Sequence, residues 1–144
     1  MLEGCIPYPE AFVKRYREKG YWIDKTLGEE FDECVNRYSD WVALACNGKH
    51  ISYREMGQKV NWFVFYFINI GLRTYDRMIF QLPNEPEFVY CYFAAVKIGV
   101  IPILSLPAHR DAEISFFAQF AEARAHVVPS RSKDFSHQEM SREV

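Results

Sequence analysis

Apolar positions along this chain follow two rhythms. Over 27–38, Leu27, Phe31, Cys34, Val35 and Tyr38 recur at the spacing of one helix face, and Thr26, preceded by Asp24 and Lys25, offers a cap. Upstream, Pro9 precedes Phe12, Val13 and Tyr16 on a common face and Gly20 follows, which predicts a short amphipathic helix. Two apolar runs, 41–46 and 49–53, flank Asn47-Gly48. That dipeptide signals a tight hairpin, because both turn residues take positive φ. Ser52 with Glu55 forms a capping box, and the helix it opens reaches Ile70, where Gly71 provides a left-handed stop. The stretch 62–68 has strand propensity, yet cap, stop and length favour a helix buried on most sides.

Farther on, strand and helix alternate. A strand over 77–82 leads to a helix opened by Asn84-Glu85-Pro86 and running through Tyr92 to Gly99. A second strand covers 100–106, with Pro102 near its start, where a missing N–H does least harm. Asp111 begins a helix that ends near Ala123, and a third strand covers 125–128. Helical connections of this length imply parallel strands with right-handed crossovers, an α/β sheet. Ser136 and Glu139 form a further capping box. The helix it opens has barely two turns before Val144 and no stop signal, so the expectation is a chain cut inside a larger domain. No repeat or linker divides 1–144, which reads as one incomplete domain.

Composition narrows the classes. Of 144 residues, 49% are hydrophobic and 25% charged, an ordinary globular balance. Twelve Phe, nine Tyr and three Trp are more rings than a domain this size easily hides, which points to a larger body or a partner. A net charge of −2 without a basic stripe argues against nucleic-acid binding. No apolar run spans a bilayer and residues 1–12 lack a basic leader followed by an apolar stretch, so no membrane association and a cytoplasmic location are expected. Cys5, Cys34, Cys46 and Cys91 lie far apart with no CxxC pair; buried reduced thiols are expected rather than disulfides or a metal site.

Candidate chemistry is sparse. The seven glycines never come closer than eight residues apart, so no glycine-rich phosphate loop exists. GxSxG and HExxH are absent. His50, His126 and His137 read as structural or solvated. His109 and Arg110 follow the second parallel strand at its carboxyl end, where open α/β sheets bind ligands. The pair fits an anion contact or, equally, a turn that caps the next helix through Asp111. These two residues are the only substrate-binding candidates; no catalytic residue and no metal ligand is assigned. Asn84-Glu85 reads as a helix cap, and Glu29, Glu30, Asp32 and Glu33 as an acidic helix start that the dipole explains. The stripe Tyr53, Trp62, Phe63, Tyr66 and Phe67 reads as core.

Residues 50–56, His-Ile-Ser-Tyr-Arg-Glu-Met, resemble the first core motif of the adenylate-forming (AMP-binding) superfamily, and 92–102, from Tyr92 through Gly99 to Pro102, resemble the second. Gly71 to Met78 and Gln81-Leu-Pro-Asn84 fill the places between. The segment 104–114, with Pro107-Ala-His109-Arg110, is similar to the aryl-acid branch, the dihydroxybenzoate–AMP and salicylate–AMP ligases of siderophore biosynthesis, as is Tyr21-Trp22-Ile23. Trp41 departs from the pattern, where a basic or small polar residue stands, and implies an exposed ring. The resemblance covers nearly the whole chain. It implies that an aryl acid and Mg·ATP give aryl-AMP and pyrophosphate, and that the acyl group then passes to the phosphopantetheine thiol of a carrier protein. It also implies that the phosphate loop, acid pocket, ribose contact and lid lysine lie beyond Val144. The chain alone is then inactive and holds no cofactor, with apolar surface around Trp62 and Tyr92 awaiting later segments and a tendency to self-associate. The alternatives are a non-catalytic binding or regulatory module of the same fold, or part of an acyl-CoA synthetase for a different acid.

Overall fold

The computed structural model describes residues 4–129 and 135–144. Its element order is α1 (Glu10–Glu18), α2 (Leu27–Arg37), β1 (Val42–Cys46), β2 (Lys49–Ser52), α3 (Tyr53–Asn69), β3 (Arg77–Phe80), α4 (Pro86–Lys97), β4 (Ile101–Leu104), α5 (Asp111–Phe120), β5 (Ala123–Val127) and α6 (His137–Glu143). β1 and β2 form the antiparallel hairpin, turning at Asn47 (φ 50°) and Gly48 (φ 73°). β3 lies between β4 and β5 in a parallel sheet of order β4-β3-β5. The α/β class expected from the sequence is therefore the observed one.

Alternation along β3 organises the core. Met78 and Phe80 point to one face and join Val60 and Phe67 of α3, Phe31 of α2 and Ala94 and Ala95 of α4. Ile79 points the other way, to Ile114 of α5 and Met140 of α6. Phe67 and Phe80 are fully enclosed, each worth about 1.5–3 kcal/mol by burial. Hairpin residues Ala43, Leu44 and Ile51 close the flank of the larger cluster.

Two details hold the helices close. At Gly57 of α3 a Cβ would stand 2.8 Å from Val35 Cγ1, so α2 and α3 approach where one of them lacks a side chain. Lys97 Nζ donates to Asp32 Oδ1 at 2.5 Å and Asn61 Oδ1 at 2.9 Å, joining α4 to α2 and α3. The acidic cluster is thus spent partly on ion pairs rather than on the dipole alone: Lys25 bridges Glu30 and Glu33, while Glu29 completes a capping box with Thr26.

Several expectations shift. The strands are shorter than the apolar runs, although pairing outlasts them: Gln81 N–H donates to Val127 O at 3.0 Å and Ser105 N–H to Phe80 O at 2.9 Å. α5 stops at Phe120 because Glu122 turns to φ 48°, and β5 starts at Ala123, opposite Arg77. α1 buries none of its residues; its rings cluster locally, Tyr16 against Trp22 at 5.5 Å. The aromatic stripe splits. Met56, Val60 and Phe67 line the inner face of α3, whereas Trp62 and Tyr66, turned away from it, stack at 5.7 Å and stay exposed. Tyr92 packs onto the core. Trp41 is 69% exposed, as its departure from the resemblance implied. Of the cysteines only Cys91 is buried; Cys5 is exposed and Cys34 and Cys46 half-covered, because α2 and the hairpin each cover one side only.

Pro102 sits on an outer strand. Ile101 N–H donates to Asp76 O and Ser105 N–H to Phe80 O, so alternate N–H groups of β4 face β3. Position 102 faces away, where proline's missing donor breaks no pair.

Candidate functional site

The carboxyl ends of the three parallel strands converge on loops, and there the polar residues collect. Gln81, directly after β3 and on the same side as Ile79, is wholly buried. Its Nε2 donates to Leu106 O at 3.2 Å and His109 O at 2.8 Å, pinning the loop that follows β4. Two carbonyls can only accept, which fixes the amide orientation. Gln81 Oε1 is left buried without a partner among the described residues.

His109 folds back into the same loop. Leu106 N–H donates to Nδ1 at 3.3 Å, and the hydroxyl of buried Ser105 lies 3.2 Å from it. Nδ1 is therefore an acceptor and Nε2 carries the proton. The ring stands edge-on to Phe117 at 5.4 Å. A hydroxyl beside an imidazole resembles a nucleophile and its base, but Ser105 is enclosed and Nδ1 already takes a backbone N–H.

Arg110 is engaged likewise. Its Nη1 donates to Pro107 O at 2.9 Å and His109 O at 2.8 Å, and its guanidinium lies 4.1 Å from the centroid of the Phe135 ring. The next helix is capped at Arg110, not through Asp111: Arg110 N–H donates to Glu113 Oε2 at 3.0 Å. That donation holds the Glu113 carboxyl below the usual carboxylate range. His137 closes the assembly from α6, its Nε2 3.0 Å from Pro107 O, with its ring edge-on to Phe135. The structure thus brings the two candidates, His109 and Arg110, into one loop that is satisfied largely from within.

Asn84-Glu85 does not cap with a side chain. Glu85 occupies the cap position with no such bond, and Pro86 stands at the first helical position, where its missing N–H breaks no helical pair. Between this loop and the end of β5 lies a cavity of about 370 Å³, walled by Phe63, Leu82, Pro83, Phe88 and Val128, with Cys91 at its side. Burial pushes the Cys91 thiol up to about 12, so it stays protonated and unreactive at neutral pH. Among the described residues no group of three or more His, Cys, Asp or Glu could hold a metal ion.

Sequence reading missed Gln81, Ser105 and His137 as the fixing points of the loop. The available signal was a polar residue closing an apolar strand, Gln81 after Phe80, in the parity of the sheet's second face.

Comparison with known proteins places this scaffold. The chain is 35% identical over 144 residues to a 2,3-dihydroxybenzoate-AMP ligase of Bacillus subtilis, covering 100% of this chain and 27% of that protein. It is 36% identical over 144 residues to a vibriobactin-specific 2,3-dihydroxybenzoate-AMP ligase of Vibrio cholerae, covering 100% and 26%. The apo structure of MbtA from Mycobacterium smegmatis superposes with a TM-score of 0.86 at 30% identity, covering 97% of this chain and 26% of that one. The chain thus spans about a quarter of the length of the relatives it matches. With the family's profile matching residues 31–144, this chain belongs to the AMP-binding enzyme family.

Proposed function

We propose that the chain is the N-terminal part of an aryl-acid–AMP ligase acting in the cytoplasm in siderophore biosynthesis. In that reaction the acid's carboxylate oxygen attacks the α-phosphorus of ATP, an acyl–O–P bond forms and pyrophosphate leaves. A carrier's phosphopantetheine thiol then takes the acyl group and AMP is released. The observation that carries this reading is end-to-end similarity, at 35% and 36% identity, to two proteins named as 2,3-dihydroxybenzoate-AMP ligases. ATP and magnesium belong to the whole enzyme in this reading. Preorganised charge around the phosphoryl group supplies most of the acceleration in such chemistry, and no cluster of such groups stands among the described residues. The chain's own part is scaffolding: β3 and Gln81 hold the 105–110 loop at the carboxyl edge, with His109 and Arg110 as the residues nearest a ligand.

Pyrophosphate exchange tests it. A protein carrying this chain together with the remainder typical of its relatives should exchange pyrophosphate into ATP with 2,3-dihydroxybenzoate or salicylate and not with a fatty acid. The chain alone should show no exchange. Exchange driven by a fatty acid and not by either aryl acid would overturn the assignment; exchange by the chain alone would overturn the scaffolding role. Exposed Trp62, Tyr66, Phe116 and Phe120 support a further expectation, self-association of the isolated chain.

A further inference from the structure

Beneath α6 the second face of the sheet holds two imidazoles. His126 of β5 stands beside Ile79 in register, and among the described residues neither of its ring nitrogens has a hydrogen-bond partner. It borders a cavity of about 210 Å³ walled by Ile79, Ile114 and Ala118 and closed from α6 by Ser141. His137, 4% exposed, anchors the start of α6. Its Nε2 lies 3.0 Å from Pro107 O; a carbonyl only accepts, so this nitrogen carries the proton. Its Nδ1 is buried without a partner among the described residues. A second proton on the His126 ring would place a cation at a cavity where, among the described residues, no Asp or Glu side chain forms part of the wall.

The neighbours bear this out element by element. From β3 comes Ile79, with Gln81 just after it, and from α5 Ile114, Phe117 and Ala118, none of them charged. The 105–110 loop brings His109 and the cationic Arg110, whose guanidinium lies 4.1 Å from the Phe135 ring that meets His137 edge-on. On β5, Arg124 is itself cationic and sits 3.5 Å from Asp76 Oδ1. On α6, Glu139, Arg142 and Glu143 are exposed. Val144 borders the cavity.

We propose that His126 is an acid-sensitive clasp for α6: the helix seats on the sheet, and braces the 105–110 loop through Pro107, only while the His126 ring is neutral. Burial and the neighbouring His137 pull the His126 imidazole down from 6.5 to about 4. A folded value below the free one means that docking is complete above 6.5 and is lost as pH falls toward 4. The inference concerns the clasp alone and stands whichever acid the parent enzyme uses.

Nuclear magnetic resonance of the chain, titrated from neutral pH to about 4, tests the clasp. Amide protection at Met140 and Ser141 should fall by at least about tenfold over that range, while protection at Val60 and Phe67 holds. The ring signals of His126 should move with the fall. His126→Phe should flatten the dependence, whereas His109→Gln and amidation of Val144 should leave it in place. Unchanged α6 protection in the parent chain would overturn the proposal. So would an equal fall in His126→Phe, or loss of the dependence in either control. Should His126→Phe not fold, the His126 ring in the unaltered chain decides, and titration at 6.5 would refute the clasp.

Discussion

On one face of the parallel sheet twelve buried residues, Met78 and Phe80 among them, are sealed beneath α2, α3 and α4; on the other, the described buried cluster is Ile79, Ile114 and Met140. The first face has three helices and a hairpin to cover it. The second has α5 and the short α6, and it leaves Phe116 and Phe120 stacked at 5.5 Å in the open. The same strand, β3, supplies both faces through its alternating residues. The lesson is that alternation decides which side a residue takes, while the helices present decide how firmly it is held.

Phe80→Ala gives the largest expected effect, about 3–5 kcal/mol, because a fully enclosed ring leaves a cavity that its neighbours cannot fill. Ile114→Ala should cost about 2–3 kcal/mol, with early loss of amide protection confined to α5 and α6. Chemical denaturation followed by both circular dichroism and hydrogen exchange checks the pair. Equal losses, unfolding the whole chain in both cases, would erase the contrast between the faces.

Gln81→Leu sharpens the comparison at the edge where the faces meet. The substitution strips Leu106 O and His109 O of a donor, but it also removes an oxygen that had no partner. The net cost should be about 1–2 kcal/mol, with resonances of 105–110 shifting and those of α3 unmoved. A gain in stability would mean that the loop carbonyls find other donors.

Ser52→Ala, remote from both faces, should be the mildest at about 1 kcal/mol, measured by thermal melting. Ser52 N–H donates to Glu55 Oε2 at 2.8 Å, and this bond and the Ser52 hydroxyl hold the Glu55 carboxyl below the usual carboxylate range. The bond's contribution is present above that range and lost as pH falls through the depressed value. Ser52→Ala keeps that N–H, so it is Glu55→Gln that should be less acid-sensitive than the parent, and an unchanged acid response in Glu55→Gln would remove the capping box from the account.

Local grammar was plain in the sequence: the Asn47-Gly48 turn, the Ser52–Glu55 box and the strand–helix alternation each rest on neighbouring residues, so the chain alone specifies them. Less visible was whatever depends on which helices arrive to cover a face. Trp62 and Phe63 are adjacent and both aromatic, yet one is exposed and the other packs on the core. The loop at the carboxyl edge was legible as a place through His109 and Arg110, but its workings were not. Its fastening comes from Gln81, 25 residues before Leu106, and from His137, 30 after Pro107. Family membership was legible because two short motifs keep their separation.

Proline on the outer strand has a consequence for how copies of this chain can meet. A sheet with two receptive rims can recruit neighbours without end, as fibrils do. Here the β4 rim lacks a donor at position 102, so the β5 rim is the better place for a newcomer to zip on. Two molecules joined rim to rim through β5 would use up each other's receptive side, and growth would halt at a pair.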